Sequence, residues 1–319
     1  MNSGKKQILI TGINGQDGQF LAQILVKARH QIFGVDLQLA GPLIPGIEYI
    51  QGSIADTDFL TDLLLKIEPN EIYNLASVSQ VSASFIIPEK TMAVNLMPVI
   101  SMLELIRNKI PKTKLLQATS SEIFGGRGTP PFNEEALPDP LSPYAVSKEA
   151  AYHMVKLYRK AYNIFGANAI LFNHTSPLHS SNFVIAKIIK ELVEVKLGKR
   201  QKVQLGNLEI FRDWGSAEEY VAALLLIMNH TQPDDFVVGS GQCTSLREIV
   251  AYILRKLGLQ YSDVIRINHK LFRKNDPKII YSDPAKIAER LGWRSKKSFE
   301  EVLDGMIDAE MKTQHVKAK

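Results

Sequence analysis

Apolar runs alternate with amphipathic segments through the first two-thirds of the chain, and that alternation leaves few folds open. Strands are read at 7–11, 31–36, 47–51, 71–75, 114–119 and 167–172, with helices between them at about 16–29, 56–67, 89–108 and 142–164. Apolar strands joined by amphipathic helices predict an α/β fold, a doubly wound parallel sheet covered on both faces. The remainder is mixed. A helix is expected near 182–197 and another over about 216–230, then a strand at 235–239, a helix at 245–258 and short elements to the end. No internal repeat or linker-like run is seen, so at 319 residues a second, smaller unit is expected to pack closely on the first.

No apolar run reaches the roughly 20 residues that cross a bilayer. The longest, Tyr220 to Met228, reads as a buried helix, so no membrane partner is expected. Met1 to Lys6 run straight into the first strand and leave no room for a signal peptide. Cys243 is the only cysteine, which excludes an internal disulfide and points to a reducing, cytoplasmic location. It reads as a small apolar filler. The net charge of +5 is scattered, without arginines interleaved with aromatics, so nucleic acid is not an expected partner. A mild positive balance suits an anionic small ligand such as a nucleoside diphosphate. Lys312 to Lys319 read as a solvated basic end. No His, Asp or Cys pair has metal-ligand spacing.

The turn Thr11-Gly12-Ile13-Asn14-Gly15-Gln16-Asp17-Gly18 follows the first strand and opens a helix. Glycines there let the backbone approach a pyrophosphate, which unpaired amides and the helix dipole stabilise. The second strand ends in Asp36. A carboxylate at that place accepts from both ribose hydroxyls and repels a 2′-phosphate, which predicts NAD rather than NADP. Farther on, Tyr144-Ala145-Val146-Ser147-Lys148 opens a helix with Ser142 as its cap and Pro143 as its first residue. Tyr144 and Lys148 then share a helix face one turn apart. A phenol titrating near pH ~10 needs help to act as a base; a nearby ammonium and an oxidised nicotinamide favour its ionised form.

These residues identify the chain as resembling an extended short-chain dehydrogenase/reductase. Tyr73-Asn74-Leu75-Ala76, Phe172-Asn173-His174-Thr175-Ser176-Pro177, Leu205-Gly206-Asn207-Leu208, Arg212-Asp213-Trp214-Gly215 and Pro233-Asp234-Asp235-Phe236-Val237-Val238 narrow the resemblance to GDP-mannose 4,6-dehydratases. It implies a Rossmann domain over 1–173 with 204–240 returning to it, and a sugar-nucleotide domain over 174–203 and 241–319. Cofactor contacts are implied for Gly12, Asn14, Gly15, Gln16, Asp17, Gly18, Asp36, Leu75, Ala76, Tyr144 and Lys148. In the implied chemistry, Tyr144 takes the proton of the sugar 4-hydroxyl as hydride leaves C4. Lys148 holds the nicotinamide ribose. Ser120 bonds the developing 4-keto oxygen, and Glu122 removes the C5 proton and assists loss of the C6 hydroxyl. Oxidation at C4 acidifies C5, so a carboxylate in reach suffices as the base. Asn173, Lys187, Arg212 and Arg273 are implied around the sugar and diphosphate, Asp276 at the base or its ribose, and Ser79 and Glu209 as lesser contacts. His174 reads as a hydrogen-bonded structural histidine.

The sequence departs from that family in four places. Asp36-Leu37-Gln38 replaces the basic residues that go with NADP. The segment Ala40 to Pro45 is too short for the loop that joins subunits into tetramers, so a homodimer through helices 89–108 and 142–164 is expected. Ser53 stands where an acid meets the adenine, and Arg273-Lys274-Asn275-Asp276-Pro277-Lys278 replaces the guanine-side motif. The expected activity is dehydration of GDP-mannose or a GDP-manno-heptose. A 4-keto reductase or epimerase on the same scaffold is the alternative, and a regulator without catalysis would have lost Tyr144, Lys148 or Glu122.

Overall fold

The computed structural model describes residues 4–39 and 43–316. Ala40–Pro42 of the short segment, Met1–Ser3 and the last three residues of the basic tail lie outside them. In chain order the elements are β1 (Gln7–Thr11), α1 (Gln16–Lys27), β2 (Gln31–Asp36), β3 (Ile47–Gln51), α2 (Thr57–Ile67), β4 (Glu71–Asn74), α3 (Val81–Ser84), α4 (Pro88–Asn95) and α5 (Met97–Asn108). Then come β5 (Lys114–Ser120), α6 (Pro143–Tyr162), β6 (Gly166–Leu171), β7 (Asn173–Thr175), α7 (Val184–Lys196), β8 (Val203–Leu205), β9 (Phe211–Arg212), β10 (Trp214–Ser216) and α8 (Ala217–Asn229). The chain ends with β11 (Asp235–Val238), β12 (Thr244–Ser245), α9 (Leu246–Leu257), α10 (Tyr261–Val264), β13 (Ile265–Ile267), β14 (Ile279–Ile280), α11 (Ala285–Leu291) and α12 (Phe299–Val316).

Seven parallel strands form the central sheet in the order β11-β6-β5-β4-β1-β2-β3, the doubly wound architecture expected. The strand order reverses between β1 and β4, which opens a crevice beyond their C-terminal ends, the place where such sheets bind ligands. Local sequence explains the helices that flank it. Ser142 accepts from the Ala145 amide at 3.1 Å and Pro143 occupies the first turn, so α6 starts where the sequence predicts. The single helix expected over 89–108 is two. Pro98 has no N–H to return to the preceding turn, and the ladder breaks at Leu96.

Separate buried clusters hold the molecule: one on each face of the sheet, one beyond it, and a smaller one around Phe124, Phe132 and Phe172. α1 and α8 pack on one face of the sheet through Leu21, Tyr220, Leu224 and Ile227, joined by Ile287 and Trp293 near α11. A separate core gathers Ile188 and Leu192 of α7, Val203 and Leu205 of β8, Ile249 and Ile253 of α9, and Leu303 and Met306 of α12. Leu205, Leu208 and Ile210, expected with the sheet domain, belong to this second core, and Ile287 and Trp293, expected outside it, belong to the first. α12, at 18 residues, also exceeds the short elements expected near the end.

Candidate active site

The glycine turn has the geometry a pyrophosphate needs. Gly12 sits at φ +72° and donates to Val35 O at 2.8 Å; a Cβ there would meet the Ala76 backbone at 2.9 Å. At Gly18 a Cβ would lie 2.4 Å from Gly12 O, so only glycine lets α1 close on β1. The N-cap of α1 is Gly15, without a side-chain cap, which leaves the first-turn amides to a ligand. Leu75 and Ala76, beyond β4, are held by their amides to Thr11 Oγ1 at 3.2 Å each, on the other lip of the crevice.

Asp36 stands at the tip of β2, its Oδ2 accepting from the Asn14 amide at 3.0 Å and its Oδ1 from the Leu37 amide at 2.8 Å. The Asn14 side chain donates to Gln38 O and so ties the turn to the segment after β2. A carboxylate fixed at this edge retains lone pairs for ribose hydroxyls. These residues fit a dinucleotide: close-approach glycines, uncapped helix amides and an oriented acid lie in one crevice.

Gln16 and Asp17 have other uses for their side chains than the expected cofactor contacts. Gln16 donates to His174 O at 3.2 Å and accepts from Ser176 Oγ at 2.9 Å, while Asp17 Oδ2 meets His174 Nε2 at 2.9 Å. Their backbone amides stay at the helix N-terminus. The reason is packing: the stretch after β6 runs against the first turn of α1, and buried polar groups there must be matched.

Tyr144 and Lys148 are both buried, at 8% and 3% exposure. Lys148 Nζ lies 5.9 Å from the centre of the Tyr144 ring and donates to Ala118 O at 2.9 Å. Burial pushes the Tyr144 phenol up to about 12, against a hydrogen bond with Ser120 that lowers it, and Glu122 adds to the rise. Burial also pulls Lys148 down to about 8. Burial thus opposes the ionised phenol, which is expected to need the ammonium and an oxidised nicotinamide together. Ser120 ends β5 and accepts from the Glu122 amide at 3.3 Å, which turns the 3₁₀ segment Ser121–Phe124 toward α6. The end of one strand and the start of one helix thus bring Ser120, Glu122 and Tyr144 together.

The substrate candidates separate. Asn173 opens β7, half-buried, and Ser79 is exposed in the loop after β4. Lys187 borders an open cavity of about 350 Å³ with Gln80, Asn182 and Arg200. Glu209 is exposed and paired with Arg247. Arg273 is exposed. Arg212 and Asp276 require correction. Arg212 is 2% exposed, and its fork is used on Asp276 Oδ1 at 2.7 Å, Pro277 O at 2.8 Å and Phe211 O at 2.9 Å. The pairing of β9 with β14 buries the guanidinium, and a buried cation takes the nearest carboxylate. Neither side chain is presented to a phosphate or a base as folded.

Sequence reasoning passed over Asn95. It is buried where α4 ends, accepts from the Val78 amide at 2.8 Å and donates to Ser147 Oγ at 2.9 Å, fastening the loop after β4 to the catalytic helix. Its only sequence signal is an asparagine three residues before Pro98. Also missed is a buried ladder: Thr11 donates to Asn74 at 2.7 Å, Asn74 to Gln117 at 2.7 Å, and Gln117 to Ala118 O at 2.8 Å, the carbonyl that also receives Lys148.

The sheet, its glycine turn and the Tyr–Lys helix define an extended short-chain dehydrogenase/reductase. The chain belongs to the GDP-mannose 4,6 dehydratase family, whose profile matches residues 9–306. GDP-mannose 4,6 dehydratase 1 of Arabidopsis thaliana is 35% identical, covering 96% of this chain and 90% of that one. GDP-mannose 4,6-dehydratase of Yersinia enterocolitica is 32% identical, covering 98% and 96%. Among solved structures, dTDP-glucose 4,6-dehydratase from Bacillus anthracis in complex with NAD superposes with a TM-score of 0.84 at 23% identity, covering 97% and 98%. UDP-glucose 4-epimerase from Thermotoga maritima gives 0.86 at 22%, covering 97% and 99%. These last two speak for the fold.

Proposed function

We propose that this protein is a nucleotide-sugar 4,6-dehydratase acting on GDP-mannose, or a GDP-manno-heptose, with tightly held NAD. What supports the reading is Glu122, two residues past Ser120 at the end of β5 and near enough for its charge to raise the Tyr144 phenol: oxidation alone needs no such carboxylate, whereas elimination does. NAD would be held by Gly12, Gly15, Gly18, Asp36, Leu75, Ala76 and Lys148, and would supply an acceptor for the C4 hydride that returns it to C6 once water has left, C5 regaining a proton.

The chain's residues move the protons. Tyr144, once ionised, takes the proton of the sugar 4-hydroxyl, and Ser120 donates to the oxygen as it becomes a ketone. The C5 proton is then acidic. Glu122 removes it, and its protonated carboxyl assists departure of the C6 hydroxyl as water. Burial of Tyr144 and Lys148 keeps bulk water from the reacting carbons. Asn173, Ser79, Lys187 and Arg273 bind the sugar nucleotide, and a phosphate reaching Arg212 displaces Asp276.

The same reading places the enzyme in the cytoplasm as a homodimer. Met97 of α5 and Val146 and Leu157 of α6 are exposed apolar side chains. A monomer by light scattering would contradict that assembly. Among the described residues no helix is long and apolar enough to cross a membrane. To test the activity, the purified holoenzyme is incubated with GDP-mannose. A product lighter by one water, with no net change in NAD, is expected. Conversion without loss of water would point to an epimerase, and stoichiometric oxidation of added reduced cofactor by a 4-keto sugar would point to a reductase.

A further inference from the structure

We propose that Asp17 and His174 form a charge-compensating clasp that sets how tightly the N-terminus of α1 holds the dinucleotide pyrophosphate, with His174 the positioning residue. Asp17 lies in the first turn of α1, immediately behind the glycine turn. An acid there complements the helix dipole while the end is empty. Once an anion occupies the same amides, that carboxylate opposes it as a like charge.

His174 meets that difficulty. Its Nε2 lies 2.9 Å from Asp17 Oδ2 and its Nδ1 2.8 Å from Phe172 O. A carboxylate on one ring nitrogen and a carbonyl on the other both call for an N–H, which only the imidazolium provides. Asp17 Oδ1 is buried with no hydrogen-bond partner among the described residues, so no second donor shares the task. Burial works against a charged His174, but the Asp17 carboxylate and the Phe172 carbonyl outweigh it and hold the imidazole above its ordinary pKa.

The surrounding groups leave the pair alone with its charges. The Tyr220 ring of α8 packs 4.9 Å from the imidazole, and burial keeps its phenol protonated. His179, from the turn after β7, is pushed by burial down to about 4 and is neutral near pH 7. Asp213, behind Tyr220, is satisfied by Ser240, Gly241 and Ser282. Gln16 completes the clasp through His174 O and Ser176. The clasp thereby joins the cofactor helix to the segment that carries Asn173.

The inference rests on a bound dinucleotide and not on the sugar chemistry, so its test needs no turnover and its failure leaves the dehydratase reading standing. NAD release from the holoenzyme is measured on dilution for the unsubstituted chain, His174→Gln, Asp17→Asn and the double variant. His174→Gln is expected to weaken NAD by about tenfold or more, because an uncompensated charge then faces the pyrophosphate. Asp17→Asn changes affinity little, and the double variant binds more tightly than His174→Gln alone. A double variant as weak as His174→Gln, or weaker, would overturn the proposal, since a purely structural contact gives that result. If His174→Gln fails to fold, the unsubstituted holoenzyme decides. Its NAD affinity should fall as pH rises past the ordinary imidazole range and His174 loses its proton, and Asp17→Asn should lessen the fall, the remainder belonging to Lys148, which titrates at about 8. A flat profile, or the same fall in Asp17→Asn, refutes it.

Discussion

At the scale of single residues, burial opposes the charge on the active-site lysine, Lys148. Its amine titrates near 8 in the folded chain and near ~10.4 when unfolded. Because the folded-state value is depressed, the unfolded chain binds more protons between these limits. Stability therefore rises with pH across that window, and below about pH 8 the folded state carries the full penalty. Lys148→Met should be more stable than the unsubstituted protein at pH 7 by up to roughly 3 kcal/mol, with a flatter stability–pH curve, while losing at least ~10²-fold in turnover. Urea unfolding at several pH values checks this; equal or lower stability at pH 7 would show that the ammonium is not penalised. Such residues were legible because their signal is local: Tyr144 and Lys148 are spaced one helical turn apart, and Ser120 and Glu122 lie at a strand end. The pairs Arg212–Asp276 and Asp17–His174 were not, because their members lie 64 and 157 positions apart. Only the fold brings them together, so the ion pair that Arg212 makes with Asp276 as folded is not announced by the motif.

At the scale of elements, the glycine turn and α1 act as one unit. Gly18→Ala would set a methyl 2.4 Å from Gly12 O and 2.8 Å from Ile13 Cα, both rigid backbone, so α1 must move off β1. We expect a loss of roughly 1–3 kcal/mol in stability, as for overpacked sites, and NAD affinity reduced by more than tenfold. Denaturant unfolding and NAD titration would show it, and unchanged NAD binding would mean the turn is not the pyrophosphate site. The long elements of the sheet layer were readable from periodicity and punctuation. α12 was also readable in principle: Phe299, Val302, Leu303, Met306 and Ile307 repeat at helical spacing. The strands β8 to β10 and β12 to β14 run two or three residues, too short for any alternation to register. They exist because of pairings such as Phe211 with Ser245 and Ile279, which no local pattern announces.

At the scale of the molecule, the segments around β9 and β14 are joined by a buried ion pair, Arg212–Asp276. Removing one member of a buried pair leaves the other charge without compensation. Asp276→Ala should therefore destabilise by about 3–5 kcal/mol and Asp276→Asn by less, since the amide still accepts from the guanidinium. A loss under ~1 kcal/mol for Asp276→Ala would show that Arg212 finds another partner. The layered assembly also creates the crevice where Ser120, Glu122 and Tyr144 converge, on which the dehydratase account depends. The most direct test mixes the Glu122→Gln holoenzyme with GDP-mannose and follows both the bound NAD and the sugar. The account predicts that NAD becomes reduced and stays so, with no product lighter by one water. Dehydration at the rate of the unsubstituted enzyme would contradict it.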